Sequence, residues 1–336
     1  MRTPQLMGRS FDRMRIVFMG TPGFAAASLE RLYADGHDVA CVFTKPDKPA
    51  GRRGLTVSFS PVKQAALAHG STVYQPDSLR DDRIINELRE FECDIIVVVA
   101  YGKLLHSGIL NIPPLGCVNI HGSLLPKYRG AAPVQWAVLN GEAETGVTSM
   151  YMTEEIDAGD ILLAERTPIG MNETAEELYE RLGALGAGLL SKTLAALQRG
   201  EIVRIPQNSA DVTYAPALSK DMSPVDWTKT AAQTERAVRG LTPWPIASAT
   251  LGGIVFKLHA VEICENDHFR AKSSAADAPW TTISDKYKPG EVISADRNGI
   301  MVACRDGAVL IKELQAPGGK RMTAADYMRG HPDFLR

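Results

Sequence analysis

None of the chain's cysteines belongs to a C-x-x-C pair, and the five present, at positions 41, 93, 117, 264 and 304, are odd in number. That argues against both a disulfide framework and a zinc ribbon, and leaves reduced thiols as the simplest account. Long apolar runs are missing too. The longest, residues 95–101, is far short of the ~20 residues that a membrane-spanning helix needs, and the first residues lack the apolar stretch of a secretory signal, so a cytoplasmic location and no membrane partner are expected. Nor is there an excess of one charge: 37 Lys plus Arg face 39 Asp plus Glu, a formal net of −2. A protein of that balance is not a general polyanion binder, and any nucleic-acid partner must meet a local patch. The dinucleotide fingerprint is absent as well. The first glycine turn reads Gly20-Thr21-Pro22-Gly23 rather than G-x-G-x-x-G, and Phe43 is followed by Thr44 and Lys45 rather than by an acid. NAD is therefore disfavoured, with an NADP reading left open by Arg52 and Arg53. No ligand-spaced His or Cys cluster exists, so no metal is expected. The scattered histidines at 37, 69, 106, 259, 268 and 331 are read as structural, and Trp136 and Trp244 as packing residues.

What is present is alternation. Apolar segments at 16–19, 39–43, 72–74, 95–100 and 117–120 are separated by helical patterns at 24–34, 61–69 and 82–91, which predicts a doubly wound α/β sheet with parallel strands. A helix is predicted at 133–139, a strand at 146–152, and one long helix or two short ones at 173–199, where Gly183, Gly186 and Gly188 weaken an unbroken assignment. Residues 205–224 turn polar with scattered prolines and read as a linker. A helix at 231–241 and strands at 252–264, 290–294, 299–304 and 308–314 predict a small antiparallel barrel. At 336 residues, two domains are the natural expectation: 14–204, then the linker 205–224, then 225–336. Residues 1–13, with three arginines, one aspartate and no periodicity, read as a disordered extension, with Met14 as a candidate start. The polar interval 266–288 is expected to be mobile.

The chemistry concentrates in Asn119-Ile120-His121-Gly122-Ser123-Leu124-Leu125-Pro126. Neighbours at i and i+2 of a strand share a face, so Asn119 and His121 project together. A carboxamide that can donate to a developing oxyanion, beside a ring that moves protons near neutral pH, suits acyl transfer to an amine. The acidic run Thr153-Glu154-Glu155-Ile156-Asp157-Ala158-Gly159-Asp160 is costly to order unless it faces water, a cation or substrate. Asp157 there is either turn chemistry or a partner for His121. Lys45, Lys48, Arg52, Arg53 and Lys63, against Asp47 alone, give 45–63 a net charge of +4. Such a loop is either a phosphate grip or a solvated surface.

Together with Phe18-Met19-Gly20-Thr21-Pro22-Gly23-Phe24, Thr44-Lys45-Pro46-Asp47-Lys48-Pro49-Ala50-Gly51-Arg52, Val99-Ala100-Tyr101-Gly102, Tyr128-Arg129-Gly130-Ala131-Ala132-Pro133 and Leu241-Thr242-Pro243-Trp244-Pro245, these segments resemble the methionyl-tRNA formyltransferase family over nearly the whole chain from Met14. The resemblance implies a Rossmann-like formyltransferase domain, a C-terminal OB-like antiparallel β-barrel, and 10-formyltetrahydrofolate as co-substrate. It implies Asn119, His121 and Asp157 as the catalytic trio, with Val99, Ala100, Tyr101, Ser123, Leu124, Leu125 and Pro126 at the folate. It further implies Lys45, Lys48, Arg52, Arg53, Lys63 and Arg129 at methionyl-initiator tRNA, and a monomer. The loop 51–59 carries less lysine than the resemblance leads one to expect. Between 221 and 336 only 15 basic residues face 14 acidic ones, although Lys286, Lys288, Lys312, Lys320 and Arg321 are expected partly to share a face. Formyltransferases acting on small amines share the trio but are expected to lack the Arg-Gly-Ala-Ala-Pro segment and the cationic insertion. A non-catalytic RNA-binding relative is expected to have a damaged trio.

Overall fold

The computed structural model describes residues 13–50, 56–264, 286–332 and 334. The expectations for residues 1–12, for Arg52 and Arg53, and for most of 266–288 lie outside them. The fold divides into two compact units, one formed within residues 1–133, 144–168 and 179–216, the other within 134–143, 169–178 and 217–336.

The first unit is built on a seven-stranded sheet in the order β5-β2-β1-β6-β7-β8-β9. Its centre comprises β1 (Arg15–Gly20), β6 (Ile95–Val99) and β7 (Cys117–His121), buried along almost their full length because helices cover both faces. β2 (Asp38–Phe43) and β5 (Val73–Tyr74) extend it, and all pairings from β5 to β7 are parallel. Between them run α1 (Gly23–Ala34), α2 (Pro61–Ala68), α3 (Asp82–Glu90) and the short α4 (Ser107–Leu110). Ser60 caps α2 by accepting from Lys63 N, with Pro61 in the first turn, and Asp81 caps α3. Within the cationic segment β3 (Lys48–Ala50) pairs antiparallel with β4 (Thr56–Ser58).

Beyond β7 the sheet turns antiparallel through β8 (Glu144–Tyr151) and β9 (Ile161–Pro168). β9 has no counterpart among the predicted strands. It is the sheet's edge, and its alternating half-exposed sequence, Ile-Leu-Leu-Ala-Glu-Arg-Thr-Pro, carries charge where a central strand would carry apolar residues. α5 (Pro133–Asn140) precedes β8, and α6 (Ala175–Gln198) is a single unbroken helix. Its glycines are packing sites. A Cβ at Gly183 would meet the Phe24 backbone at 3.3 Å, and one at Gly186 would meet Ile120 at 3.0 Å. Close approach to α1 and the sheet thus outweighs the helix cost of glycine.

The second unit contains α7 (Ala231–Gly240), closed at its start by a Thr230–Gln233 capping box. Its strands are β10 (Ser248–Leu251), β11 (Ile254–Cys264), β12 (Val292–Asp296), β13 (Gly299–Ala303), β14 (Ala308–Gln315) and β15 (Arg321–Thr323), and α8 (Ala324–Gly330) follows. They form an antiparallel sheet, β10-β11-β14-β13-β12 with β15 on β14, of the curled, OB-like kind. The strand expected at 252–264 is β11, beginning two residues later, and it is preceded by the unexpected β10, with which it forms a hairpin turning at Gly252 and Gly253, both at positive φ. Phe256 packs edge-on against Tyr327 at the centre of this core.

Candidate active site

β7 is buried throughout, yet it carries Asn119, 8% exposed, and His121, 6% exposed. Opposite them across the antiparallel ladder stand Met150 and Thr148. Such polar side chains at the end of a central strand are costly unless something answers them. His121 is answered on both sides. Its Nε2 lies 2.9 Å from the Tyr128 carbonyl, which can only accept, so Nε2 carries the hydrogen. Its Nδ1 faces Asp157 Oδ2 at 3.6 Å. Residues 36 apart in sequence are therefore neighbours. The Asn119 carboxamide, by contrast, makes no hydrogen bond among the described residues, which leaves its donors free in a nearly buried position.

Asp157 belongs to the β8–β9 connection, which leaves β8 beside Cys117 and doubles back over the sheet face toward His121. Asp157 sits in the left-handed region at φ +50, and Oδ2 accepts from Gly130 N at 2.8 Å. Anchors along the connection answer its acidity. Ser107 N donates to Glu154 at 2.9 Å and holds that carboxyl below its usual range. Arg129 reaches Glu155 at 3.3 Å, and Arg204 reaches Asp160 at 2.8 Å. Gln207 Nε2 donates to the carbonyls of Asp157 and Gly159, each at 2.8 Å. A Cβ on Gly159 would lie 1.8 Å from the Tyr151 carbonyl oxygen, so the connection closes on itself only with glycine there.

The loop after β7 is organised by side chain to backbone bonds. Ser123 Oγ donates to the Lys127 carbonyl at 2.6 Å, Thr148 Oγ1 donates to the Ser123 carbonyl at 2.7 Å, and Leu125 N donates to Thr148 Oγ1 at 3.1 Å. Tyr128 N donates to Thr213 Oγ1 at 2.8 Å, and Arg129 exchanges backbone bonds with Thr213 and Ala215. Residues 205–216, read in sequence as linker, thus form one wall of the site.

The remaining expected residues fall in several places. Ser123 is fully buried, Leu125 nearly so, and Leu124 and Pro126 are half-buried. Val99 ends β6, and Ala100 turns out of it at φ +44 into the open. The Tyr101 ring lies in the core, and burial pushes its hydroxyl up to about 12, so 99–101 faces outward mainly through backbone and Ala100. Lys48 is exposed and Lys45 partly so. Lys63 bonds Asp47, Gln75 at 2.7 Å, and lies over the Phe59 ring at 4.2 Å. Arg129 is 6% exposed, and its guanidinium is taken up by Gln207 and Glu155. Those two cations are ties rather than free surface charges, because each is largely buried and already paired, Lys63 with Asp47 and Gln75, Arg129 with Gln207 and the exposed Glu155 carboxylate. Trp244, expected to pack, is 50% exposed. Lys312 and Arg321 are each paired with a glutamate. Sequence reasoning missed Gln207, Thr148 and Thr213. A polar residue in a Pro-containing stretch and a threonine in a buried strand carry no signal of their own.

Among the described residues no group of three or more His, Cys, Asp or Glu could hold a metal ion, and no helix is long and apolar enough to cross a membrane. The arrangement suits acyl transfer: a free amide donor, a ring with one exchangeable nitrogen, and a carboxylate behind it.

A family model described as formyl transferase matches residues 14–194, and one described as formyl transferase, C-terminal domain, matches residues 217–332. The chain is 43% identical over 318 residues to the methionyl-tRNA formyltransferase of Lachnospira eligens, covering 95% of this chain and 97% of the relative. It is 44% identical to that of Trichlorobacter lovleyi over 318 residues, covering 95% and 94%. The fold is also that of a solved N-formyltransferase from Helicobacter canadensis in complex with folinic acid and dTDP-3-aminofucose. That match has a TM-score of 0.63 and 17% identity, over 92% of this chain and 100% of the other.

Proposed function

Because the chain belongs to the methionyl-tRNA formyltransferase family, transferring the formyl group of 10-formyltetrahydrofolate to the α-amino group of methionyl-initiator tRNA for translation initiation, we propose that Asn119, His121 and Asp157 carry that chemistry. When bound, the folate supplies the formyl carbon that the neutral amine attacks. Asn119 Nδ2, which has no partner among the described residues, donates to the oxygen that becomes negative. Since Nε2 of His121 is held by Tyr128, the proton traffic falls to Nδ1. A proton there lies between the reacting centre and Asp157, whose carboxylate Oδ2 faces Nδ1 at 3.6 Å, directly or through a water. The proton lost by the new ammonium and the one gained by the folate nitrogen pass through this ring. The observation that carries the reading is the 3.6 Å approach of Asp157 Oδ2 to His121 Nδ1 beside a free, nearly buried carboxamide.

Val99 to Tyr101 and Ser123 to Pro126 would line the folate, through backbone at the first and through the tightly bonded turn at the second. Lys45, Lys48, Arg52 and Arg53 remain the cations for tRNA, whereas Arg129 and Lys63 serve the fold. The catalytic unit lies within residues 14–216, its last stretch, 205–216, framing the site rather than linking two modules, and 225–336 serve tRNA. A cytoplasmic monomer fits this work.

The deciding assay sets labelled 10-formyltetrahydrofolate against methionyl-initiator tRNA, methionyl-elongator tRNA and free methionine side by side. Formylation of the initiator tRNA, much weaker formylation of the elongator and none of free methionine is expected. Preference for the free amino acid, or turnover unaffected by Asn119→Ala, would overturn the reading. Size-exclusion chromatography with light scattering tests the monomer.

A further inference from the structure

We propose that Gln207 is a positioning residue that sets the direction of the Asp157 carboxylate. The proposal rests on the reading of Asp157 as a member of the catalytic trio. Every polar atom of the Gln207 side chain is in use. Nε2 donates to the carbonyls of Asp157 and Gly159 at 2.8 Å each, and Oε1 accepts from Arg129 Nε at 3.1 Å and Nη2 at 2.9 Å. Carbonyls only accept and a guanidinium only donates, so the amide has one possible orientation. Arg129 is buried and tied in turn to Glu155. It therefore holds the amide oxygen in place rather than following it.

The bonds fall where they matter. At φ +50 Asp157 occupies backbone that a non-glycine residue holds only when its surroundings over-determine it. The orientation of the 157 carbonyl reports ψ of that residue, and ψ together with φ directs its Cβ. Fixing the carbonyls on either side of Ala158 therefore fixes where the carboxylate points. Gly130 N then secures Oδ2 itself at 2.8 Å. Backbone and carboxylate are clamped separately, the first by Gln207 from residues 205–216 and the second by the loop after β7. Without the first clamp the connection could relax out of the left-handed conformation and carry Oδ2 away from Nδ1.

Two substitutions separate the parts. Gln207→Glu keeps an acceptor for Arg129 but replaces both donors with oxygen facing two carbonyls, while Gln207→Met removes every hydrogen bond at similar length. Both are expected to lower the single-turnover rate of formyl transfer roughly ten- to a hundredfold, the scale on which small misplacements act. KM for folate and for tRNA should stay within about twofold. In an Asp157→Asn background, Gln207→Glu is expected to add less than about a further twofold, since it acts through that carboxylate. If Gln207→Met loses its cooperative melting transition, Gln207→Glu, with Arg129 still paired, carries the comparison. Wild-type turnover in Gln207→Glu, a rise in KM with kcat unchanged, or a full multiplicative loss in the double variant would each overturn the proposal. Wild-type turnover in Asp157→Asn would instead bring down the trio itself, so the two failures are distinguishable.

Discussion

Truncating Asn119 to alanine separates catalysis from stability more cleanly than any other change at this site. The carboxamide is nearly buried, but no described residue accepts from it or donates to it, so its removal orphans no partner. A buried donor whose partner is lost ordinarily costs about 1–3 kcal/mol, and here that penalty does not arise. Folding stability should therefore change by less than about 1 kcal/mol. The reacting oxygen, in contrast, loses its donor at the moment charge develops. Loss of one such donor costs about a hundred- to a thousandfold in turnover, or roughly 2.7–4 kcal/mol. Rapid-quench single turnovers with saturating 10-formyltetrahydrofolate and labelled methionyl-initiator tRNA would measure that step free of product release. Denaturant melts and tRNA filter binding on the same preparations complete the comparison. Asn119→Asp, of the same shape but with a negative charge where the oxyanion forms, should be at least as slow. A single-turnover rate within about threefold of wild type in Asn119→Ala, with the fold intact, would refute the assignment.

Other outcomes are expected. Arg129→Ala should lower kcat while leaving the salt dependence of tRNA binding untouched, whereas Lys48→Ala should reduce that salt slope by about one; the opposite pattern would return Arg129 to the surface. Gly130→Ala places a Cβ 2.8 Å from the Ala215 carbonyl at φ +119 and should destabilise by about 1–3 kcal/mol in urea melts, with activity falling alongside; a neutral result would mean the loop does not need this backbone. Hydrogen bonds from Lys63 and Gln75 hold the Asp47 carboxyl below its ordinary range, so its contribution is fully present above the unfolded pKa and is lost as pH falls through the lower folded value. The melting advantage of wild type over Asp47→Asn should accordingly be full above pH ~4 and shrink below it, and an advantage that grew on acidification would contradict this. Burial pushes the Cys93 thiol up to about 11 and that of Cys117 to about 12, and Cys41 and Cys304 are fully buried and raised as well. A disulfide reagent should thus modify Cys264 first among the five in native protein, and rapid loss of several thiols together would show the core to be looser than its packing.

The strands at the centre of the first unit are legible because burial on both faces demands unbroken apolar runs, as in Ile95–Val99. The same physics hides β9, whose edge position permits charges that break the run, and it hides β10, because the pattern of 248–264 does not mark its Gly252–Gly253 turn. Glycine misleads in α6 for a related reason. Its propensity argues for a break, while close approach to Phe24 and Ile120 argues for continuity, and only tertiary contact decides. At the site, Asn119 and His121 are readable from strand period alone. That Asp157 meets them comes from family resemblance, since nothing local in an acidic loop announces a partner 36 residues away. Gln207 was unreadable by either route.

The participation of 205–216 also bears on how such an enzyme could be recombined. The stretch looks like a splice point, a polar span where one module could be traded for another. Yet Thr213 and Ala215 carry the backbone of the Arg129 loop, and Gln207 grips the connection bearing Asp157. A chimera joined at 204 would inherit the formyl-transfer motifs intact and lose part of the frame that aims them. The junction that respects the chemistry comes after Pro216.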